Sequence, residues 1–263
     1  MKQRVIIAYD GTPDGKQALT LGNLLCRNFD AKPVIAYRGG EPVSEMDQGY
    51  FRNTGNKSPA RGLQMLTDKV RPMAIVVGSP SGGKSDVGTS SSDNKRILSG
   101  TNCPVAVAPP ASQALRGFSS ICVAVNGHKA SYRALDQAAS MARFLGVSLR
   151  IVSVLGSGSS GRSSRSSLNQ ARVKRATRIL EEAAGRVPAD VKVELEGLVG
   201  DPAEQLGEYS TGQDLMVVGS QGHGRFGPSL RRGISSYLME HTRCPLLVTP
   251  QGSPSQSRSV SFA

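Results

Sequence analysis

The sequence predicts an α/β protein made of two tandem copies of one parallel-sheet unit. Three observations carry this expectation. Apolar, strand-like runs alternate with segments of helical periodicity along most of the chain. The opening RVIIAYDG returns as ICVAVNG at residues 121–127. A shift of 141 residues also lays AIVVGSPSG on LMVVGSQGH, and NCPVAVAP on RCPLLVTP, without a gap.

Each element has its own signal. VIIAY is an apolar run of strand length, and DGKQALTLGNLLCRNF behind it has helical periodicity before the second strand, KPVIAY. In the second copy ASYRALDQAASMARFL places Ala134, Leu135, Ala138, Met141, Ala142 and Leu145 on one face, and SLRIVSV follows as a strand. The copies then diverge. The second continues through GSGSSGRSSRSSLNQ, a low-complexity stretch read as a flexible loop. It runs on into a basic helix, ARVKRATRILEEAAGRV, with an apolar stripe at Val173, Ala176, Ile179, Leu180 and Ala183. DVKVELEGLV then alternates Val191, Val193 and Leu195 as a strand. The first copy has GGEPVSEMDQGYFRNTGNK instead, which carries no such helix or strand. A five-stranded second unit (118–251) is expected, preceded by a first (1–112) lacking one helix and one edge strand. The linker is ASQALRG, and 252–263 reads as a polar, disordered tail.

Composition narrows the classes. Of 263 residues, 38% are hydrophobic and 20% charged, as in a globular protein. No apolar run approaches the roughly 20 residues that cross a bilayer, which argues against membrane insertion. The N-terminal apolar run is too short for a signal peptide, so a cytoplasmic protein is expected. Cys26, Cys103, Cys122 and Cys244 show no CxxC spacing, and His128, His223 and His241 do not bracket them, so buried free thiols are expected rather than a metal site or disulfide. The net charge of +12 is spread along the chain, with clusters at Arg162/Arg165, Arg172 to Arg178 and Arg231/Arg232. No nucleic-acid motif accompanies it, so nucleic acid is not the expected partner.

GSPSGGKS at 78–85 matches the G-x-x-x-x-G-K-[ST] phosphate loop and follows a strand. A P-loop must enter a helix with an apolar docking face. Here Val87 is the one aliphatic residue between Ser85 and Ile97, and the duplicate loop GSQGHGRFG has no Gly-Lys-Ser. A P-loop NTPase built on Lys84 and Ser85 is the weakest of the readings.

VVGSQGHGRFGPSLRRGISSYLMEHTRCPLLV resembles the C-terminal half of a universal stress protein domain. There a strand runs into G-x-x-G, nine residues, a Gly-Ser or Gly-Thr pair, a helix and a last strand. ICVAVNGHKASYRALDQAA is similar to its opening strand, turn and first helix, where the turn usually begins Asp-Gly. The resemblance implies a doubly wound sheet of strand order 3-2-1-4-5 in each unit. It also implies pairing of final strands across a dimer; here CPVAVAP and CPLLVTP would pair within one chain as a pseudo-dimer, with a homodimer as a further expectation. Many members bind ATP, with magnesium accompanying it.

Carried over, the resemblance puts Asn126 and Gly127 beside the adenosine, and Gly219, Gly222 and the Gly-Ser position beside the phosphates. In ungapped register Arg232 stands at the third glycine and Gly233 at the hydroxyl residue, with Ser235 in the first helical turn. A one-residue bulge would restore Gly233 to the glycine role and leave Arg231 or Arg232 to neutralise phosphate. The first copy keeps Asp10 and Gly78, with Ser81 for the second glycine and Ser91/Ser92 for the pair. The bland alternatives are tight strand-to-helix turns for the glycines, an Asx turn or cap for Asn126 and Asp10, and a solvated loop position for His223. The leading expectation is a tandem, non-catalytic stress regulator that binds an adenine nucleotide in its second unit, with at most weak ATPase activity. The competing one is a nucleotide-free scaffold of the same fold, docking a protein partner through the basic helix and the Ser/Arg linker.

Overall fold

The computed structural model describes residues 2–37, 50–53, 59–79, 91–110, 115, 117–156, 165–220 and 233–250. The first half runs β1 (Arg4–Tyr9), α1 (Pro13–Asn28), β2 (Lys32–Tyr37), β3 (Tyr50–Asn53), α2 (Pro59–Val70), β4 (Ala74–Val77), α3 (Ser91–Gly100) and β5 (Val105–Val107). The second runs β6 (Ser120–Ala124), α4 (Lys129–Leu145), β7 (Ser148–Leu155), α5 (Arg165–Ala184), β8 (Val193–Val199), α6 (Pro202–Tyr209), β9 (Met216–Gly219), α7 (Ile234–His241) and β10 (Leu246–Thr249). Local chemistry sets the boundaries. Thr12 caps α1 ahead of a proline at the first helical position, and α4 ends on Gly146 in the left-handed region.

All ten strands form one sheet in the order β3-β2-β1-β4-β5-β10-β9-β6-β7-β8. Each half therefore has the order 3-2-1-4-5, and every described pairing is parallel except that of β5 with β10. There Val107, Ala106 and Val105 face Leu246, Leu247 and Val248 in antiparallel register, so the two CP-led strands form the intrachain seam.

Interior strands are apolar on both sides because helices cover both faces. Val5, Ile7, Val76, Val123, Ile151 and Val217 lie in a core under α1, α4 and α5. Ile6, Ile75, Val77, Met216 and Leu246 belong to the opposite core, with α2, α3, α6 and α7. Two contacts clamp the seam. The Phe29 and Phe144 rings stack at 5.6 Å on one face, and Lys95 Nζ of α3 meets Glu240 Oε1 of α7 at 2.6 Å on the other.

Two expectations need correction. The first half has its edge strand: β3 pairs Tyr50–Asn53 in parallel with Val34–Tyr37. Tyr and Phe suit a strand, but four residues between polar stretches are too few for alternation to show. Among the described residues no helix lies between β2 and β3. The stripe of α5 is also shorter than its periodicity suggests: Ala176, Ile179, Leu180 and Ala183 are buried, but Val173 is 55% exposed.

All four cysteines are free and buried, and burial pushes the thiols of Cys26, Cys103 and Cys244 up to about 12. Among the described residues no helix is long and apolar enough to cross a membrane. The tail 252–263 and the linker stretch 157–164 lie outside the described residues, as do Ser81, Lys84 and Ser85.

Candidate functional site at the switch points

Helices leave adjacent parallel strands toward opposite faces at two places. After β6 the chain enters α4 on one face, and after the neighbouring β9 it enters α7 on the other. The crevice beyond the strand ends at such a reversal is where open α/β sheets bind ligands. In the first half β1 with α1, and β4 with α3, form the equivalent place.

Around the second switch point lie Asn126 and Gly127 after β6, Gly219 at the end of β9, and Gly233 and Ser235 at the start of α7. Asn126 Oδ1 accepts from the His128 amide at 3.1 Å, closing an Asx turn around Gly127, whose φ is +81°. Ser131 fastens the turn. Its Oγ accepts from the Asn126 amide at 3.2 Å and donates to the His128 carbonyl at 2.8 Å. A Cβ on Gly219 would stand 2.2 Å from the Ala130 carbonyl oxygen, so the end of β9 lies backbone to backbone against the start of α4. Gly233 is the N-cap of α7 and supplies no side-chain acceptor; a Cβ there would meet nothing within 4 Å among the described residues. Ser235, in the first turn of α7, is largely buried.

The first switch point holds Asp10, Gly78 and Ser92. Asp10 Oδ1 accepts from the Thr12 amide at 2.9 Å and from Thr12 Oγ1 at 2.5 Å, again around a glycine at φ +81°, Gly11. A Cβ on Gly78 would lie 2.7 Å from the Asp14 carbonyl oxygen, the same approach as at Gly219. Ser92 lies in the first turn of α3. Gly222 and Arg232 lie outside the described residues, as do His223 and Arg231.

Three positions escaped the sequence reading. Gly15 and Ser131 are equivalent at the offset that pairs Asp10 with Asn126. A Cβ on Gly15 would stand 2.2 Å from Asp10 Oδ1, whereas Ser131 Oγ is bonded to the Asn126 amide. The Asp-to-Asn and Gly-to-Ser differences thus belong to one rearrangement of the turn, visible in the aligned copies but without meaning until the contacts are known. Asn94, in the first turn of α3, is 1% exposed; its Nδ2 donates to the Gly78 carbonyl at 3.0 Å, and its Oδ1 has no partner among the described residues.

Four helix starts have described caps. Thr12 and Asp201 accept from the first-turn amides of α1 and α6. His128 and Gly233, which start α4 and α7, give no side-chain cap bond. The two helices of the second switch point therefore present first-turn amides that no side chain of their own cap satisfies. Among the described residues no three His, Cys, Asp or Glu gather to hold a metal ion.

The universal stress protein family model matches residues 117–250, over half of the sequence. The chain belongs to the universal stress protein family. Its fold is shared with solved structures along nearly its whole length. A universal stress protein from Archaeoglobus fulgidus DSM 4304 is 14% identical, with a TM-score of 0.64, covering 95% of this chain and 98% of that one. A functionally unknown protein from Pseudomonas aeruginosa PAO1 is 11% identical, with a TM-score of 0.66 and coverage of 95% and 93%. A universal stress protein family member from Burkholderia pseudomallei is 26% identical over 50% of this chain and 95% of its own, with a TM-score of 0.42. A comparison with curated proteins yields no match.

Proposed function

We propose that this universal stress protein is a non-catalytic, cytoplasmic stress-response regulator that binds an adenine nucleotide, ATP in the first instance, at the second switch point. Residues 1–112 and 118–251 act as its two units. The observation that carries the reading is the pair of uncapped helix starts, α4 and α7, at one reversal of the sheet. Their amides attract anionic oxygens, and a glycine at the start of α7 lets a ligand approach the backbone closely. Asn126 and Gly127 would face the nucleoside, and Gly219, Gly222, Arg232, Gly233 and Ser235 the phosphates. Magnesium would arrive on those phosphates, since it keeps most of its water and needs few protein carboxylates.

One observation favours a nucleotide-free scaffold instead. Gly78 and Gly219 are each accounted for by the approach of a strand end to a helix, with no ligand involved. Isothermal titration of the full chain with millimolar ATP separates the two. Saturable heat is expected; its absence at high micromolar protein would leave the scaffold reading.

A further inference from the structure

We infer that Arg172 and Arg175 of α5 supply the positive charge that makes the second switch point, and not the first, a polyphosphate site. The inference deepens the nucleotide reading and rests on it for the place of the ligand. Helix α5 joins the end of β7 to the start of the parallel β8, so it runs back against the strands and begins at the end where β6 stops. Ile179 fixes its height: a Cβ on Gly127 would lie 3.3 Å from Ile179 Cδ1. Arg175 and Arg172 precede Ile179 by four and seven residues, so they share its face one and two turns nearer the helix start. At Ile179 that face meets the Asn126–His128 turn. Arg172 is half-buried, whereas Gln170, Ala171, Val173 and Lys174 around it are exposed. The stripe that is apolar up to the level of the turn thus becomes basic in the two helical turns beyond it.

Neither arginine joins an ion pair among the described residues. The sequence holds no Asp or Glu from 125 to 135 or from 156 to 180. The nearest acids of α5, Glu181 and Glu182, lie further down the helix, where Glu182 meets Arg186 at 3.7 Å. Asp201 is engaged in capping α6, on the opposite face of the sheet.

The first half has the opposite character. Its turn and first helical residues, 10–17, carry Asp10 and Asp14 against Lys16, whereas 126–133 carry Lys129 and Arg133 and no acid. Asn126 in the place of Asp10 removes the one carboxylate that would repel a phosphate in the turn. Guanidinium groups bind phosphate oxygens through paired, charge-assisted hydrogen bonds, so two arginines favour a chain of phosphates over a bare nucleoside.

Titration of the full chain at low salt with inorganic tripolyphosphate, ATP and adenosine tests this, using R172Q/R175Q, R175Q alone and, as a control that removes the same single charge as R175Q from the other side of α5, K174Q. One tripolyphosphate or ATP per chain is expected. The double variant should weaken both at least tenfold and leave adenosine unchanged, while K174Q stays within twofold of wild type. Both arginines lie outside the core, and matching thermal melts would confirm an intact fold. If the double variant loses stability, the exposed R175Q alone should weaken tripolyphosphate severalfold. Unchanged tripolyphosphate affinity in the variants, two equal sites per chain, or adenosine bound as tightly as ATP would overturn the inference while leaving nucleotide binding intact. Tripolyphosphate bound as tightly as ATP, with no affinity for adenosine, would keep the arginine site and remove the adenine reading. Absence of all binding would remove both.

Discussion

At the scale of single residues, glycine marks where backbone meets backbone. Gly219 and Gly78 occupy equivalent strand ends and both abut the helix that follows the adjacent strand. The added methyl would stand 2.2 Å from a carbonyl oxygen at Gly219 and 2.7 Å at Gly78, and neither neighbour is a side chain that can swing away. G219A must therefore push the start of α4 off the sheet. Overpacking of this kind costs about 1–3 kcal/mol, with G219A the more damaging of the two. Urea unfolding of both variants checks the order; equal midpoints would mean that the helix starts yield freely. The pairing of Asp10 with Gly15 and of Asn126 with Ser131 belongs to this scale too. Each turn is self-consistent, and exchanging one member alone would put Ser beside the Asp10 carboxylate or leave the Asn126 amide without its hydroxyl partner.

Among elements, the halves are held together by the β5–β10 ladder and by one helix pair on each face. The Lys95–Glu240 contact between α3 and α7 is partly shielded, its side chains 32% and 20% exposed. A double-mutant cycle with K95M and E240Q should give a coupling of about 0.5–1 kcal/mol, falling as salt is added. No coupling would make the pair incidental to the seam. Element order was legible in the sequence, because interior parallel strands are unbroken apolar runs; the seam came only as an implication of the family resemblance, with the repeated CP-led strands as its two members. β3 was not legible, since an edge strand of four residues has too little burial to impose a pattern. The upper half of α5 was misread for a related reason. Val173 keeps helical phase with Ala176 and Leu180 but is exposed, because phase alone does not report where packing against the sheet ends. Of the candidate site, the turns and glycines were legible in the sequence; the role proposed for the arginines needed the contact of Ile179 with Gly127 to set the height of the helix.

For the whole molecule, the decisive feature is that a pseudo-dimer has been built into one chain. β10 pairs with β9 on one side and β5 on the other, and Leu246, Leu247 and Val248 are buried by that arrangement. Remove the first half, and the isolated second half keeps its own 3-2-1-4-5 sheet but exposes the backbone edge of β10 with the flanks of α4 and α7. A bare apolar edge is a template for pairing, and the antiparallel partner it lacks is a strand much like itself: LLV faces VAV in the intact chain. Residues 118–251 expressed alone should therefore form a two-fold dimer through β10, seen as twice the chain mass by light scattering after size exclusion. L247D, placing charge on a strand position that is 4% exposed in the intact chain, should return it to a monomer or prevent its folding. A stable, soluble monomer of the unaltered half would mean that the seam joins two units already complete by themselves. The fusion would then serve to bring two unlike switch points, one acidic and one basic, into a single molecule.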